Sequence, residues 1–195
     1  MKKLIGRFVL AVSGWRIDGG APATKKLVMI AAPHTSNWDF VYMTAIAFVL
    51  DIKIYWMGKK SLFRFPLGMF FRAVGGIPID RSKSNNMVDQ MVQEMDQRER
   101  FFLVVPAEGT RQRRDYWKSG FYHIARGAGV PIALGFLDFY RKCGGIGPLL
   151  HPTGDIQADM DRIRAFYADV KGKHPERFTP PRLREEDEQK IAASA

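Results

Sequence analysis

In the run Leu27-Val28-Met29-Ile30-Ala31-Ala32-Pro33-His34-Thr35-Ser36-Asn37-Trp38-Asp39, six apolar residues give way directly to a mostly polar segment. The apolar half has the pattern of a strand buried on both faces. After Asp39, Phe40 to Leu50 reads as a helix. A buried strand that passes through a polar loop into a helix is one unit of an α/β sheet.

Outward from this unit the alternation continues. Lys53 to Met57 reads as a second strand, Leu62 to Val74 as a helical stretch broken at Pro66, and Gly76 to Asp80 as a short strand. Pro78 places that strand at an edge or an end, because proline cannot donate to the ladder. Asn86 to Arg98 carries Met87, Val88, Met91, Val92 and Met95 at helical spacing. Phe101 to Val105 is a strand, Phe121 to Gly127 a helix, Val130 to Gly135 a strand and Met160 to Lys171 an amphipathic helix. The expected fold is therefore α/β: one domain with a mixed or largely parallel sheet flanked by helices, preceded by an N-terminal amphipathic helix. The expected division is an N-terminal amphipathic segment over 1–20, the main domain over 21–175, and a charged C-terminal tail over 176–195. Arg182 to Lys190 in that tail reads as a solvated helix or a frayed end.

At the N-terminus, Leu4, Phe8, Val12 and Trp15 fall near one helical face, with Lys2, Lys3 and Arg7 mostly off it. This pattern fits a helix lying in a membrane interface and equally a terminal helix docked on the core. No stretch approaches the ~18 apolar residues of a membrane-spanning helix.

The chain has 195 residues, with 30 Lys and Arg against 20 Asp and Glu, a net charge of +10. That excess points to an anionic partner: nucleic acid, a phospholipid surface or a phosphorylated substrate. Helix-turn-helix, zinc-finger and RNP patterns are missing, so nucleic acid is not expected. A single cysteine, Cys143, excludes an intramolecular disulfide framework. With four histidines alongside it, little remains for a cysteine-rich metal site, and no metal is expected.

Chemistry in α/β sheets collects in the loops at strand ends. His34 and Asp39 share one such loop. A general base for a hydroxyl needs a neutral imidazole and a carboxylate to orient it, and a five-residue separation at a strand-to-helix turn lets one loop supply both. The same residues also fit a plain helix start, with Ser36, Asn37 or Asp39 as the cap. A second loop carries Glu108-Gly109-Thr110-Arg111. Gly109 permits close backbone approach, Arg111 offers a two-pronged donor for phosphate or carboxylate, and N–H groups around Gly109 could form an oxyanion hole. Arg81 after Ile77-Pro78-Ile79-Asp80, and Lys59 and Lys60 after the second strand, are further cations at strand ends. No G-x-S-x-G nucleophile motif is present, so His34 is expected to activate a substrate hydroxyl directly.

Taken together, P-H-T-S-N-W-D, G-G-I-P-I-D-R, P-A-E-G-T-R and V-P-I in this order resemble the glycerolipid acyltransferase family, which includes 1-acyl-glycerol-3-phosphate acyltransferases. The resemblance covers residues 27 to about 135. It departs at Ala107, where the family usually has proline, at Gln112, where serine is common, and at Pro33, where asparagine is common. It implies His34 as catalytic base and Asp39 as its orienting carboxylate. It implies Arg81, Glu108, Gly109, Thr110, Arg111 and Lys59 as the acceptor- and phosphate-binding set. Val130-Pro131-Ile132 corresponds to the fourth block.

The activity so implied is transfer of a fatty acyl chain from acyl-CoA or acyl-carrier protein to a lysophospholipid hydroxyl, with 1-acyl-glycerol-3-phosphate first among acceptors. It needs no cofactor beyond the thioester co-substrate. A lyso-aminolipid acceptor, or a basic lipid- or nucleic-acid-binding protein without turnover, are the alternatives. The implied partners are the acyl thioester, the lyso-lipid and an anionic membrane surface, with the protein peripheral or monotopic on the cytoplasmic face. Phe65, Phe70, Phe71 and Trp56 are candidates for the acyl groove's lining, or else for core or membrane contact.

Overall fold

The computed structural model describes residues 1–79 and 84–193. Helix α1 (Lys2–Ser13) ends at Gly14, whose φ of 72° supplies the left-handed turn a helix end favours. Strand β1 (Arg16–Asp18) follows, then β2 (Lys26–Ala32), α2 (Trp38–Val49) and β3 (Ile54–Lys59). A 3-10 turn (Lys60–Phe63) leads to α3 (Leu67–Ala73), β4 (Gly76–Ile79), α4 (Ser84–Asp96) and β5 (Phe101–Val105). The chain continues through α5 (Gly120–Gly127), β6 (Ile132–Asp138), β7 (Cys143–Leu150), α6 (Ile156–Tyr167), a 3-10 turn (Pro175–Arg177) and α7 (Arg184–Ala193).

The seven strands form one sheet in the order β1-β7-β6-β2-β5-β3-β4. Every neighbouring pair is parallel except β6 with β7. This is the expected α/β fold in a single domain. Strand β4, with Pro78, lies at the sheet's edge. The break at Pro66 is also present, separating the 3-10 turn from α3.

The two faces of the sheet are covered by different helices. On one face Leu27, Met29, Ile54, Phe102 and Val104 pack with Ala47 of α2. On the other, Val28, Ile30, Phe101, Leu103 and Val105 pack with Met91 and Met95 of α4, Phe121 and Ile124 of α5, and Met160 and Ile163 of α6. Strand β2 thus leads into a helix on one face, while the adjacent β5 leads into a helix on the other. Such a divergence between neighbouring parallel strands opens a crevice at their C-terminal ends.

Three sequence expectations are corrected. Trp15 does not share the exposed face of α1. It is buried, stacked on Tyr42 at 4.0 Å and edge-on to Phe139. Helix α1 docks instead through Gly6 and Leu10, and a side chain at Gly6 would collide with the Ala45 carbonyl of α2. Leu4, Ile5, Phe8 and Val12 remain exposed.

Second, the charged segment after residue 175 is held to the body of the protein, because Thr179, Leu183 and Glu186 in it are buried. Third, β1 and β7 are strands the sequence did not announce. In β7, a side chain at Gly145 would strike the Asp18 carbonyl and one at Gly147 the Phe166 ring. Close approach of β1 and α6 selects glycine where strand-forming residues are usual.

Candidate active site

The loop between β2 and α2 folds around the Asp39 carboxylate. Asp39 Oδ2 accepts the backbone N–H groups of Thr35 and Ser36, both at 2.9 Å. The same oxygen lies 3.1 Å from His34 Nδ1. One buried carboxylate therefore shapes the turn and fixes the imidazole ring, and Nε2 is left as the ring's second nitrogen. Ser36 Oγ accepts the Trp38 N–H at 3.2 Å, closing the first turn of α2. Asn37 stands at the start of α2 without a side-chain capping bond, and Asp39, inside the first turn, serves the loop and the imidazole instead.

Glu108, just past β5, joins this loop from the neighbouring strand. Its Oε1 accepts the His34 backbone N–H at 2.5 Å and its Oε2 the Thr179 N–H at 3.0 Å. It is 1% exposed. Burial pushes its carboxyl up to about 7, against the opposing pull of the two backbone donors and of His34. Gly109, at φ 68°, makes the turn that follows, and its N–H donates to the Pro106 carbonyl at 2.9 Å. That N–H is therefore engaged within the loop.

A cavity of about 230 Å³ lies between α2 and the sheet. Its wall is almost wholly apolar and includes Met29, Met43, Ala47, Ile54, Trp56 and Leu137, with His34 and Asp39 as its polar residues. Of the four aromatic candidates for an acyl groove, Trp56 lines it. Phe65 and Phe70 are exposed on the surface, and half-buried Phe71 packs behind Trp56 at 5.8 Å.

A second, polar cavity of about 340 Å³ adjoins Glu108, Gly109 and Thr110. Arg114, Lys118 and Arg184 supply cations to its wall, with Asp115 beside them. Arg111 is exposed and lines neither cavity. Lys59 is exposed at the end of β3 and also lines neither. Arg81 lies outside the described residues. Among the described residues, no three of His, Cys, Asp and Glu converge to hold a metal ion.

Sequence reading missed the residues supplied from far along the chain. Thr35 is fully buried, and its hydroxyl accepts the His174 N–H at 3.2 Å. Thr179 reaches Glu108 from 71 residues away, and Arg184 enters the polar cavity from α7. No local spacing announces such contacts.

The profile of the Acyltransferase family matches residues 18–133, more than half of the chain. Among solved structures, the fold resembles the 1-acyl-sn-glycerophosphate (LPA) acyltransferase PlsC from Thermotoga maritima. That match has 13% identity and a TM-score of 0.59, and covers 88% of this chain and 79% of that one. A search of curated proteins gave no significant match.

Proposed function

Because the chain belongs to the Acyltransferase family, we propose that it moves a fatty acyl chain from a thioester, acyl-CoA or acyl-carrier protein, to the hydroxyl of a lyso-lipid acceptor. An acceptor of the 1-acyl-glycerol-3-phosphate type fits best. The observation that carries this reading is the His34–Asp39 pair in the wall of an apolar cavity. A base aimed at a hydroxyl and an adjoining space for hydrocarbon are the two requirements of lipid acyl transfer.

In the reaction, His34 Nε2 takes the acceptor's hydroxyl proton as that oxygen attacks the thioester carbonyl carbon. Asp39 keeps the proton on Nδ1 and stabilises the imidazolium that forms. A backbone N–H near Gly109 or Thr110 stabilises the negative charge that grows on the carbonyl oxygen. When the tetrahedral adduct collapses, the carbon–sulfur bond breaks and the leaving thiolate recovers the proton from His34. No covalent enzyme intermediate and no cofactor enter this scheme.

The polar cavity receives the acceptor's anionic head group. Its cations are Arg114, Lys118 and Arg184, which join Arg111 in the proposed acceptor-binding set. Arg81 and Lys59 keep their proposed role as further phosphate partners. The protein acts at an anionic membrane on its cytoplasmic face as a peripheral protein. Helix α1 supports this with exposed Leu4, Ile5, Phe8 and Val12 beside Lys2, Lys3 and Arg7. Among the described residues, no helix is long and apolar enough to cross a membrane.

The test is thiol release from acyl-CoA or acyl-carrier protein across a panel of lyso-lipid acceptors, for wild type and His34→Ala. Acceptor-dependent release is expected, reduced at least ~100-fold in the variant, the usual contribution of a general base. Retained turnover in a folded His34→Ala protein removes His34 from the mechanism.

A further inference from the structure

Residues 52–79 contain five Lys or Arg and no Asp or Glu. Within them Leu62, Phe65, Leu67, Met69 and Phe70 are all exposed, Phe65 at 88% and Met69 at 72%. One exposed apolar side chain is ordinary, but five within nine residues form a patch that needs a partner. The local fold produces the patch. Gly68 sits directly on the Phe63 backbone, where a side chain would collide, so α3 folds tightly over the 3-10 turn. Phe63 turns inward to Trp56 and Phe71, and its apolar neighbours are left outside. Lys59, Lys60, Arg64 and Arg72 are exposed around them.

We infer that residues 60–72 form a docking surface for an anionic phospholipid bilayer, separate from helix α1. Apolar tips rimmed by cations match the two layers of such a surface: side chains enter the boundary between head groups and acyl chains, while Lys and Arg meet the phosphates. The patch also adjoins the apolar cavity. Trp56 lines that cavity and contacts Phe63 and Phe71 at 6.0 and 5.8 Å. Phe40 of α2 meets Trp56 at 5.8 Å, and Gly6 of α1 lies against the same helix at Ala45. Helix α2 therefore contacts both α1 and Trp56, the ring behind the patch. An acidic carrier protein is the competing occupant, since it would use the cations. It gives no reason for the full set of exposed apolar tips, which a bilayer requires.

The inference rests on the lipid-acceptor reading for its biological sense, but its test is independent of turnover. Co-sedimentation of the full chain with vesicles of phosphatidylcholine, alone or mixed with phosphatidylglycerol, measures docking. Phe65→Ser/Met69→Ser removes side chains that support no core. It is expected to lower partition into the mixed vesicles at least ~10-fold, as loss of two buried apolar side chains implies. Lys60→Gln/Arg64→Gln is expected to lower it about five-fold per charge, and only where phosphatidylglycerol is present.

Thiol release with a water-soluble short-chain donor and acceptor should be unchanged in both variants. Absent vesicle binding by wild type, or unchanged binding by both variants, overturns the inference. So does a result in which the variants instead raise KM for a carrier-protein donor or dissolve a homodimer seen by analytical ultracentrifugation, with vesicle binding intact. Vesicle binding through the patch without any acyl transfer sinks the proposed activity and leaves the docking surface standing.

Discussion

Burial and hydrogen bonding pull the Glu108 carboxylate in opposite directions. Both oxygens accept backbone N–H groups, from His34 and Thr179, a geometry suited to the ionised form. Removal from water favours the neutral form and wins, raising the pKa from 4.5 to about 7. An acid with a raised native pKa holds its proton in the folded state after the unfolded chain has lost it. Its contribution to stability is therefore full below about pH 4.5 and is lost as pH rises through about 7. Compared with Glu108→Gln, which cannot ionise, wild type should lose ~3 kcal/mol across that window and run parallel above it. Urea denaturation of both proteins from about pH 5 to about pH 8 measures this. A pH-independent difference would show that Glu108 titrates like a solvated carboxylate. Through His34 the same side chain positions the base. The His34–Asp39 pair was legible in sequence because both partners sit on one loop. The Glu108 contacts were not, since they span 74 and 71 residues.

Helix α2 does more than cover the sheet, since it sets the depth of the apolar cavity. Ala47 lies eight residues beyond Asp39, ~12 Å along the helix axis, and lines the cavity. If the cavity takes the acyl chain, Ala47→Phe should block its deep end. The expected result is a shift of donor preference to shorter chains, with turnover of the shortest donors kept. The added volume should cost ~1–3 kcal/mol of stability by overpacking. A donor series of increasing chain length checks this, and an unchanged profile would place the acyl chain elsewhere. Legibility also varied by element. Phe101 to Val105 was plain because five successive apolar residues admit few other roles. Cys143-Gly144-Gly145-Ile146-Gly147-Pro148 hid β7, because its glycines answer to the close approach of Asp18 and Phe166 rather than to strand propensity. The amphipathic pattern of helix α1 is legible in sequence, whereas its docking through Gly6 is not, since a glycine contact leaves no apolar signature.

Across the whole molecule, the segment after α6, about the last seventh of the chain, acts as a strap that ties the two halves of the site together. After α6, Gly172 passes against Pro33 and Thr35, and the His174 N–H reaches Thr35. Thr179 then makes three hydrogen bonds: its N–H to Glu108, its hydroxyl from the Arg114 N–H at 2.9 Å, and its carbonyl from Trp117 Nε1 at 2.7 Å. The Trp117 N–H donates in turn to the Arg182 carbonyl at 2.8 Å. Leu183 is fully buried, and Glu186 accepts from Arg164 and from the Leu183 N–H. These bonds hold the loops after β2 and β5 in register, although the strap lies outside the matched family region. Ending the chain after Arg177 would expose the Leu183 pocket, worth ~2 kcal/mol, and leave buried partners on Glu108 and Trp117 unmet at ~1–3 kcal/mol each. The loss is comparable with the ~5–15 kcal/mol that holds a typical domain together, so the truncated chain should melt far below wild type and lose turnover. Thr179→Val separates the strap's local role from its bulk. It keeps the backbone bonds to Glu108 and Trp117, loses only the bond from Arg114, and should cost ~1 kcal/mol with turnover kept. Thermal unfolding and thiol release on the two variants decide between these outcomes. A truncated protein that stays folded with full activity would make residues 178–195 an appendage. A truncated protein that fails beside a Thr179→Val protein that works would place the strap's contribution in the backbone contacts to Glu108 and Trp117 and in the burial of Leu183.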